Sequence, residues 1–565
     1  MKNDPASRWL LPLLLAGAFL LTVATSGRGY LFNETDCQYA GAAKVMAEGG
    51  SWLIPENNGI PRLVKPPLLY WAMTASIAVF GENEFAIRLP GALSLCALVW
   101  ITYLIGERMG GRWRGFMAGA ILLTSLGTFT LGRIVMPEPT FCALIAGSIC
   151  CVLRGMDTPA KRRWWFLGFW LCAGLASFTK GVHGLLYPLI IIALTALFHR
   201  AERKDLRGLL SWQGGLLFLA INLPWYFYVE SRYPGYLQNL FFSEQLGHMT
   251  GAGTPATNHS DVPRVQFLLL HLAWFFPWAI PGLAALFAGG RQIFWPLSFQ
   301  TRLVVFWVGV VFLSAMLTGQ RQDYYAMAGW LAVALVMAAC FDRTIPRWSR
   351  IVVAALLGAG FVAALFLPSL TANTETAPLA ERATAWSTLV NFDASVWSSL
   401  SLTAVLTLGG ACVAAVLACF LPQRKAFLAL TATGACLALG AINGTAIVSP
   451  YFSAGPLEEF FAKTQAEAIV FDGDIDTGSS LLFYADRPVW LLDQRAEKDF
   501  VVRKFGIGRD RYLTSEELAQ RWREAAPLLF VTERSRLAEW RTRLGQPDLA
   551  PAGEAGTQIV LKNHP

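Results

Sequence analysis

The residues with chemical potential gather between the apolar runs. After the first run the chain reads Leu31-Phe32-Asn33-Glu34-Thr35-Asp36-Cys37-Gln38-Tyr39-Ala40. Two carboxylates two residues apart suit a group that accepts a proton or orients a hydroxyl. They suit helix capping equally, with Thr35 or Asp36 capping an amphipathic helix that runs to about 47. Further on comes Ile60-Pro61-Arg62-Leu63-Val64-Lys65-Pro66-Pro67-Leu68-Leu69-Tyr70-Trp71. Paired prolines stiffen an extended entry into an aromatic interfacial helix, and Lys65 is held at headgroup depth beside Arg62. A fixed ammonium there suits a lipid phosphate; the plainer reading is an anchor that snorkels.

The next turn, Gly132-Arg133-Ile134-Val135-Met136-Pro137-Glu138-Pro139, clamps an acid between two prolines. Ionisable groups beside hydrocarbon are costly and so are functional candidates, with Arg133 as the ion-pair partner in a purely structural reading. Thr179-Lys180-Gly181 and Gly319-Gln320-Arg321-Gln322-Asp323-Tyr324-Tyr325 follow the same pattern. Glu244, in Phe241-Phe242-Ser243-Glu244-Gln245, either lines the same pocket or lies on a solvated face. Taken together, Glu34, Asp36 and Glu138 are candidate catalytic acids. Lys65, Arg62, Arg321 and Lys180 are candidate phosphate ligands, and Tyr39, Tyr70, Arg133, Glu244 and Tyr325 candidate pocket residues.

Composition dictates what positions them. The 565 residues are 55% hydrophobic, 13% aromatic and only 15% charged, with 21 Trp and 37 Phe. A water-soluble globule cannot hide that much apolar surface, and the fold expected is mainly α, a polytopic membrane bundle. The net charge of +8 is not a nucleic-acid signal, because Lys and Arg collect in cytoplasmic loops. Nine of ten cysteines lie in apolar runs as small hydrophobes, which argues against a disulfide framework.

Thirteen apolar runs are long enough to span, near 8–26, 85–106, 114–132, 137–154, 164–179, 182–199, 210–228, 265–289, 302–318, 324–341, 350–368, 397–421 and 426–448. Basic clusters such as Lys161-Arg162-Arg163 alternate with the acid-bearing turns, which places the N-terminus in the cytoplasm and the C-terminus outside. The outer segments are then 27–84, 130–139, 229–264 and 318–325, besides a polar connector at 369–396. Residues 1–448 form the membrane part, and 449–565 have the composition of a small α/β domain. Its strand-like runs are Ala468–Phe471, Ser480–Tyr484 and Leu528–Val531, with a charged helical stretch at 515–526.

An acid motif after the first span, then Lys-Pro-Pro-Leu-x-Tyr-Trp, then an acid followed by Pro resembles the polyprenyl-phosphate-sugar glycosyltransferases. These include the protein O-mannosyltransferases and, closer in layout, the bacterial lipid A aminoarabinose transferases. The resemblance implies a glycosyltransferase C fold with thirteen spans and an extracytoplasmic C-terminal domain. It carries the family's Asp-Glu pair onto Glu34-Thr35-Asp36, its second acid onto Glu138-Pro139 and its Lys-Pro-Pro lysine onto Lys65. Its later cation and Tyr fall on Arg321 and Tyr325. Two departures stand out: Thr35 splits the acid pair, and Val64 replaces the Glu that often precedes Lys-Pro-Pro.

The function so implied is inverting transfer of a sugar from a polyprenyl-phosphate donor at the outer face of a bacterial inner membrane. The acceptor is a lipid of the lipid A or lipopolysaccharide type, or a protein; no nucleic acid is a partner. No cofactor is demanded by any motif. The six histidines show no paired ligand spacing, while scattered carboxylates leave a divalent metal open. The competing class is a lipid or sugar transporter, which usually shows repeated halves and charges near the bilayer midplane. This chain has neither.

Overall fold

In the computed structural model, residues 5–199, 201–247, 262–294, 298–367, 392–494, 500–524 and 526–564 are described. Every one of the thirteen apolar runs is occupied by helix. The principal helices are α1 (Leu10–Thr22), α2 (Thr35–Ala47), α3 (Leu68–Phe80), α4 (Glu84–Gly110), α5 (Arg112–Leu123), α6 (Leu126–Leu131), α7 (Glu138–Asp157), α8 (Arg162–Lys180), α9 (His183–Phe198) and α10 (Trp212–Arg232). They continue with α11 (Arg264–Trp274), α12 (Ala279–Phe294), α13 (Phe299–Leu317), α14 (Trp330–Phe341), α15 (Arg347–Leu365), α16 (Ala394–Phe420) and α17 (Gln423–Val448).

Six of the described helices are long and apolar enough to cross a membrane. The pair α11–α12 is apolar enough to make a seventh only if taken together; it is bent by 98° at Phe275–Trp278, as in a broken span or a re-entrant loop. Several of the thirteen runs are shorter helices, and 114–132 is broken into α5 and α6 at Thr124–Ser125. The two breaks satisfy each other: Leu126 N donates to the Phe276 carbonyl at 3.0 Å, and Trp278 Nε1 to Thr124 Oγ1 at 3.0 Å. Backbone groups freed inside a membrane need such partners. α1, α4, α5, α7 and α14 share one buried core that includes Leu98, Ile121, Ile145, Ile149 and Leu335. All ten cysteines are free, the nine of the apolar runs and Cys37 of the first loop alike.

The helix ends follow from local sequence. Asn83 accepts from Ala86 N at 2.9 Å to cap α4, and Pro67 precedes α3. Gly181, at φ +108°, turns the chain between α8 and α9, a conformation that favours a residue without Cβ. Neither Thr35 nor Asp36 caps α2; they are its first two residues, and the cap position falls on Glu34. Glu34 has φ +66° and its side chain makes no capping bond.

Inside 27–84 lies a short hairpin, β1 (Glu56–Asn57) with β2 (Ile60–Pro61). Asn58-Gly59 makes its turn with φ of 54° and 77°, the pair of positive values that an Asn-Gly turn supplies.

From residue 468 onward the chain builds a six-stranded sheet: β3 (Ala468–Phe471), β4 (Val489–Leu492), β5 (Tyr512–Leu513), β6 (Leu528–Glu533), β7 (Gly553–Ala555) and β8 (Gln558–Lys562), in the order β5-β4-β3-β6-β8-β7. The first four in that order are parallel, and β8 and β7 add an antiparallel edge. Ser480–Tyr484, expected as a strand, is instead one helical turn, Leu481–Tyr484. A five-residue apolar run reads alike as buried strand or buried helix, and here it is the crossover between β3 and β4.

Candidate active site

The site lies on the membrane face that carries the sheet domain, where α2, α3 and the turns before α7, after α8 and after α13 converge. Glu138 opens α7, held by Pro137 and Pro139, and is 4% exposed. Its Oε1 accepts from Lys180 Nζ at 2.6 Å, the last residue of α8. The Lys180 ammonium also lies 5.6 Å from the Phe141 ring centroid, 5.5 Å from Tyr324 and 5.2 Å from Tyr325. An ion pair walled by three rings is largely dry, so its charges act at short range with little screening. Lys65, in the Pro-Pro turn, is half-buried, and both it and Lys180 act electrostatically on His183 at the start of α9.

A second layer comes from the first loop. Tyr39 of α2 stacks on Tyr70 of α3 with centroids 5.2 Å apart. The Arg62 guanidinium sits 5.2 Å over the Tyr39 ring and donates from Nε to Tyr70 Oη at 3.0 Å. Glu138 is near enough to Tyr39 and Tyr324 to act on both phenols. Burial raises both phenols above their ordinary range, so they are neutral donors. The structure therefore draws together Glu138, Lys180, Lys65, Arg62, Tyr39, Tyr70 and Tyr325.

Other candidates are spent elsewhere. Asp36 is 5% exposed; its oxygens accept from Val135 N at 2.8 Å and Phe32 N at 3.3 Å, with Arg88 Nη2 at 3.7 Å. Burial raises its carboxyl above the usual range despite Arg88 and these two N–H groups. It is a staple joining the first loop to the turn before α7. Arg133 is no partner of Glu138: it donates to the Thr25 carbonyl and hydroxyl and the Arg28 carbonyl at 3.0, 2.9 and 3.1 Å. Arg321 is 1% exposed and directs its guanidinium at the Ala315, Val262, Met316 and Thr318 carbonyls, at 2.7–3.3 Å. It holds the turn that carries Tyr324 and Tyr325. Glu34 is exposed, and its backbone is held by the sheet domain. The side chain of Glu244 lies outside those described.

Three site residues escaped the reading of motifs. His183 sits in a helix start that looks like span, Tyr324 beside Tyr325 looks like an interfacial belt, and Asp323 resembles loop polarity. Burial raises the Asp323 carboxyl above its usual range, and that charge reaches Tyr324. Periodicity cannot reveal which side of a turn faces a pocket. Among the described residues no three His, Cys, Asp or Glu side chains converge as a metal site would require.

Comparison with known proteins fits this geometry. A family model described as dolichyl-phosphate-mannose-protein mannosyltransferase matches residues 64–228, which contain Lys65, Glu138 and Lys180. An undecaprenyl phosphate-α-4-amino-4-deoxy-L-arabinose arabinosyl transferase of Pseudomonas fluorescens is 31% identical over 48% of this chain and 49% of its own length. One from Proteus mirabilis is 29% identical over 50% and 51%. The alignments thus span about half the length of these curated relatives. Over 99% of this chain and 98% of the other, the structure resembles crystalline ArnT from Cupriavidus metallidurans bound to undecaprenyl phosphate, with a TM-score of 0.79 at 20% identity. An oligosaccharyltransferase from Archaeoglobus fulgidus gives 0.53 at 12% identity, covering 98% of this chain and 74% of its own. The chain therefore shares, over nearly its whole length, the fold of the Cupriavidus ArnT structure.

Proposed function

We propose that this protein is an inverting glycosyltransferase that moves a sugar, a pentose of the aminoarabinose kind, from a polyprenyl phosphate to a lipid acceptor of the lipid A type. The work is done at the extracytoplasmic face of a bacterial inner membrane. The observation that carries the reading is the Glu138–Lys180 pair, walled by Tyr324, Tyr325 and Phe141 at the mouth of the bundle with Lys65 nearby. Support also comes from the undecaprenyl phosphate bound by the Cupriavidus protein and the activity named for the curated relatives.

The chemistry follows from the charges. The acceptor oxygen attacks the anomeric carbon, and the glycosidic electron pair leaves with the phosphate. Lys65 and Lys180 would meet the charge that grows there, a stabilisation worth most where water is excluded. The incoming phosphate competes with Glu138 for Lys180, and so frees a carboxylate beside the anomeric centre. With a phosphate acceptor, already nucleophilic, Glu138 orients groups. With a hydroxyl acceptor it takes the proton. Arg62, fixed between Tyr39 and Tyr70, would border the sugar side of the pocket, which the neutral phenols line.

The match to the protein mannosyltransferase model favours a protein acceptor as the second reading. Both are tested together by incubating purified protein in nanodiscs with undecaprenyl-phosphate aminoarabinose and either lipid A or a Ser/Thr-rich peptide. Mass spectrometry should find the pentose on lipid A. Transfer to peptide alone would move the assignment to the second reading, and transfer to neither would remove both.

A further inference from the structure

Helix α2 is gripped from two sides. One side carries Tyr39, which stacks on Tyr70, and Ala43, whose carbonyl accepts from Thr74 Oγ1 of α3 at 3.1 Å. The opposite side carries Glu34, Gln38, Gly41 and Lys44, all engaged by the 476–486 crossover between β3 and β4. Glu34 N donates to the Asp476 carbonyl at 2.7 Å, and the Glu34 carbonyl accepts from Ser479 Oγ at 3.3 Å. Gln38 donates to the Asp476 carboxylate. The buried Lys44 ammonium donates to the Phe483 carbonyl at 2.8 Å and pairs with Asp486 and, at 2.5 Å, with Glu82. Just before the helix, Ser480 N donates to Asn33 Oδ1 and Leu31 N to Tyr484 Oη, both at 2.8 Å.

We propose that the C-terminal α/β domain is the positioning element of the catalytic loop: its crossover clamps α2 onto the membrane bundle, and Gly41 is the residue that lets the clamp close. A Cβ at Gly41 would stand 2.8 Å from Leu482 Cβ, 3.2 Å from Asn57 Oδ1 and 3.3 Å from the Leu482 carbonyl. Only glycine admits that approach. The domain also holds Glu34 at φ +66°, which a non-glycine residue keeps only when its surroundings over-determine it. What the clamp sets is the depth of Tyr39 and of the Asp36 staple. Lys65 and Lys180, on the Pro-Pro turn and α8, are not part of it. The consequence for catalysis rests on the glycosyl-transfer reading; the clamp itself does not.

That division gives the test, on the full chain in nanodiscs. Gly41→Ala should lower kcat by about ten- to a hundredfold, the scale of a misplacement near 1 Å, while undecaprenyl-phosphate affinity changes less than about threefold. Adding Leu482→Gly removes the colliding Cβ and should restore most of the rate. Asp486→Lys sets a like charge beside Lys44 from an exposed position on the domain, and should lower kcat about tenfold without endangering either fold. A readout independent of activity is the thiol of Cys37, fully buried on α2. Its labelling, followed by peptide mass spectrometry, should accelerate in Gly41→Ala and Asp486→Lys and slow again in the Gly41→Ala/Leu482→Gly pair. Unchanged kcat and labelling in Gly41→Ala and Asp486→Lys, a Gly41→Ala defect that Leu482→Gly fails to relieve, or a defect confined to donor affinity would each overturn the clamp. A wild-type protein that turns over no polyprenyl-phosphate sugar would sink the function instead, and the labelling would then decide the clamp alone.

Discussion

Glu138 and Lys180 were both visible as charged residues at helix ends, but their union was not. They lie 42 positions apart, and nothing in spacing says that the ends of α7 and α8 meet at 2.6 Å. The pairing has an energetic consequence. Truncating one partner of a buried pair leaves an uncompensated charge, typically costing about 3–5 kcal/mol, whereas removing both is far milder. Lys180→Met should therefore lower both melting temperature and turnover, because Glu138 is left 4% exposed and unpaired by it. Glu138→Gln should lower turnover by about a hundredfold or more, whether the carboxylate orients groups or takes a proton. The double variant should regain most of the thermal stability while staying inactive. A double variant less stable than Lys180→Met would mean that the pair is not the local electrostatic unit. Lys65→Met, by contrast, removes a half-buried charge from a loop; donor KM should rise and kcat fall, with the melting temperature nearly unchanged.

At the scale of elements, the legible features were those written in local chemistry. Pro66-Pro67 before α3, Pro137 and Pro139 around the start of α7 and Gly181 between α8 and α9 all stand where their backbone preferences put them. Asn58-Gly59 carries an equally local hairpin signal, hidden because β1 and β2 are only two residues each. Features set by tertiary contact were the illegible ones. Asp36 ranked as a catalytic acid by type and position, yet an amide 99 residues away claims its carboxylate. Arg321 shows the same limit: a cation in an exposed-looking turn is drawn inside to four carbonyls. Lys in its place offers a point charge rather than a planar fork. With hydrogen bonds to charged groups worth about 1.5–3 kcal/mol each, Arg321→Lys should cost on the order of 3 kcal/mol. The measurable signs are a lower melting temperature and folded yield. An unchanged melting temperature with a raised donor KM would return Arg321 to the phosphate.

The largest scale, the disposition of the whole chain across the bilayer, is where charge bookkeeping says most. The face opposite the sheet domain carries the turns joining α4 to α5, α7 to α8, α9 to α10, α14 to α15 and α16 to α17. Its acids are tied up: Asp157 with Arg108 at 2.7 Å, Asp205 with Arg162 at 3.0 Å, and Asp342 with Arg114. Lys161 and Lys204 lie on these connections, and Arg163, Arg347 and Lys425 in the first turns of the helices that follow them, so the face stays strongly basic after pairing. Orientation follows Lys and Arg in short loops, and acids weigh little in it. The sheet domain is a long segment, and the charges of long segments weigh little in orientation. A reporter active only outside the cytoplasm should therefore work when fused after residue 450 and fail at Lys161, while a cytoplasmic reporter should give the reverse. Replacing Lys161, Arg162 and Arg163 together by Gln should weaken the contrast without reversing it, because the other basic turns still point the same way. Activity at both fusion sites would mean a mixed population. The reverse pattern would put the Glu138–Lys180 pair in the cytoplasm, where nucleotide-activated sugars abound, and would remove the physical reason for a lipid-linked donor.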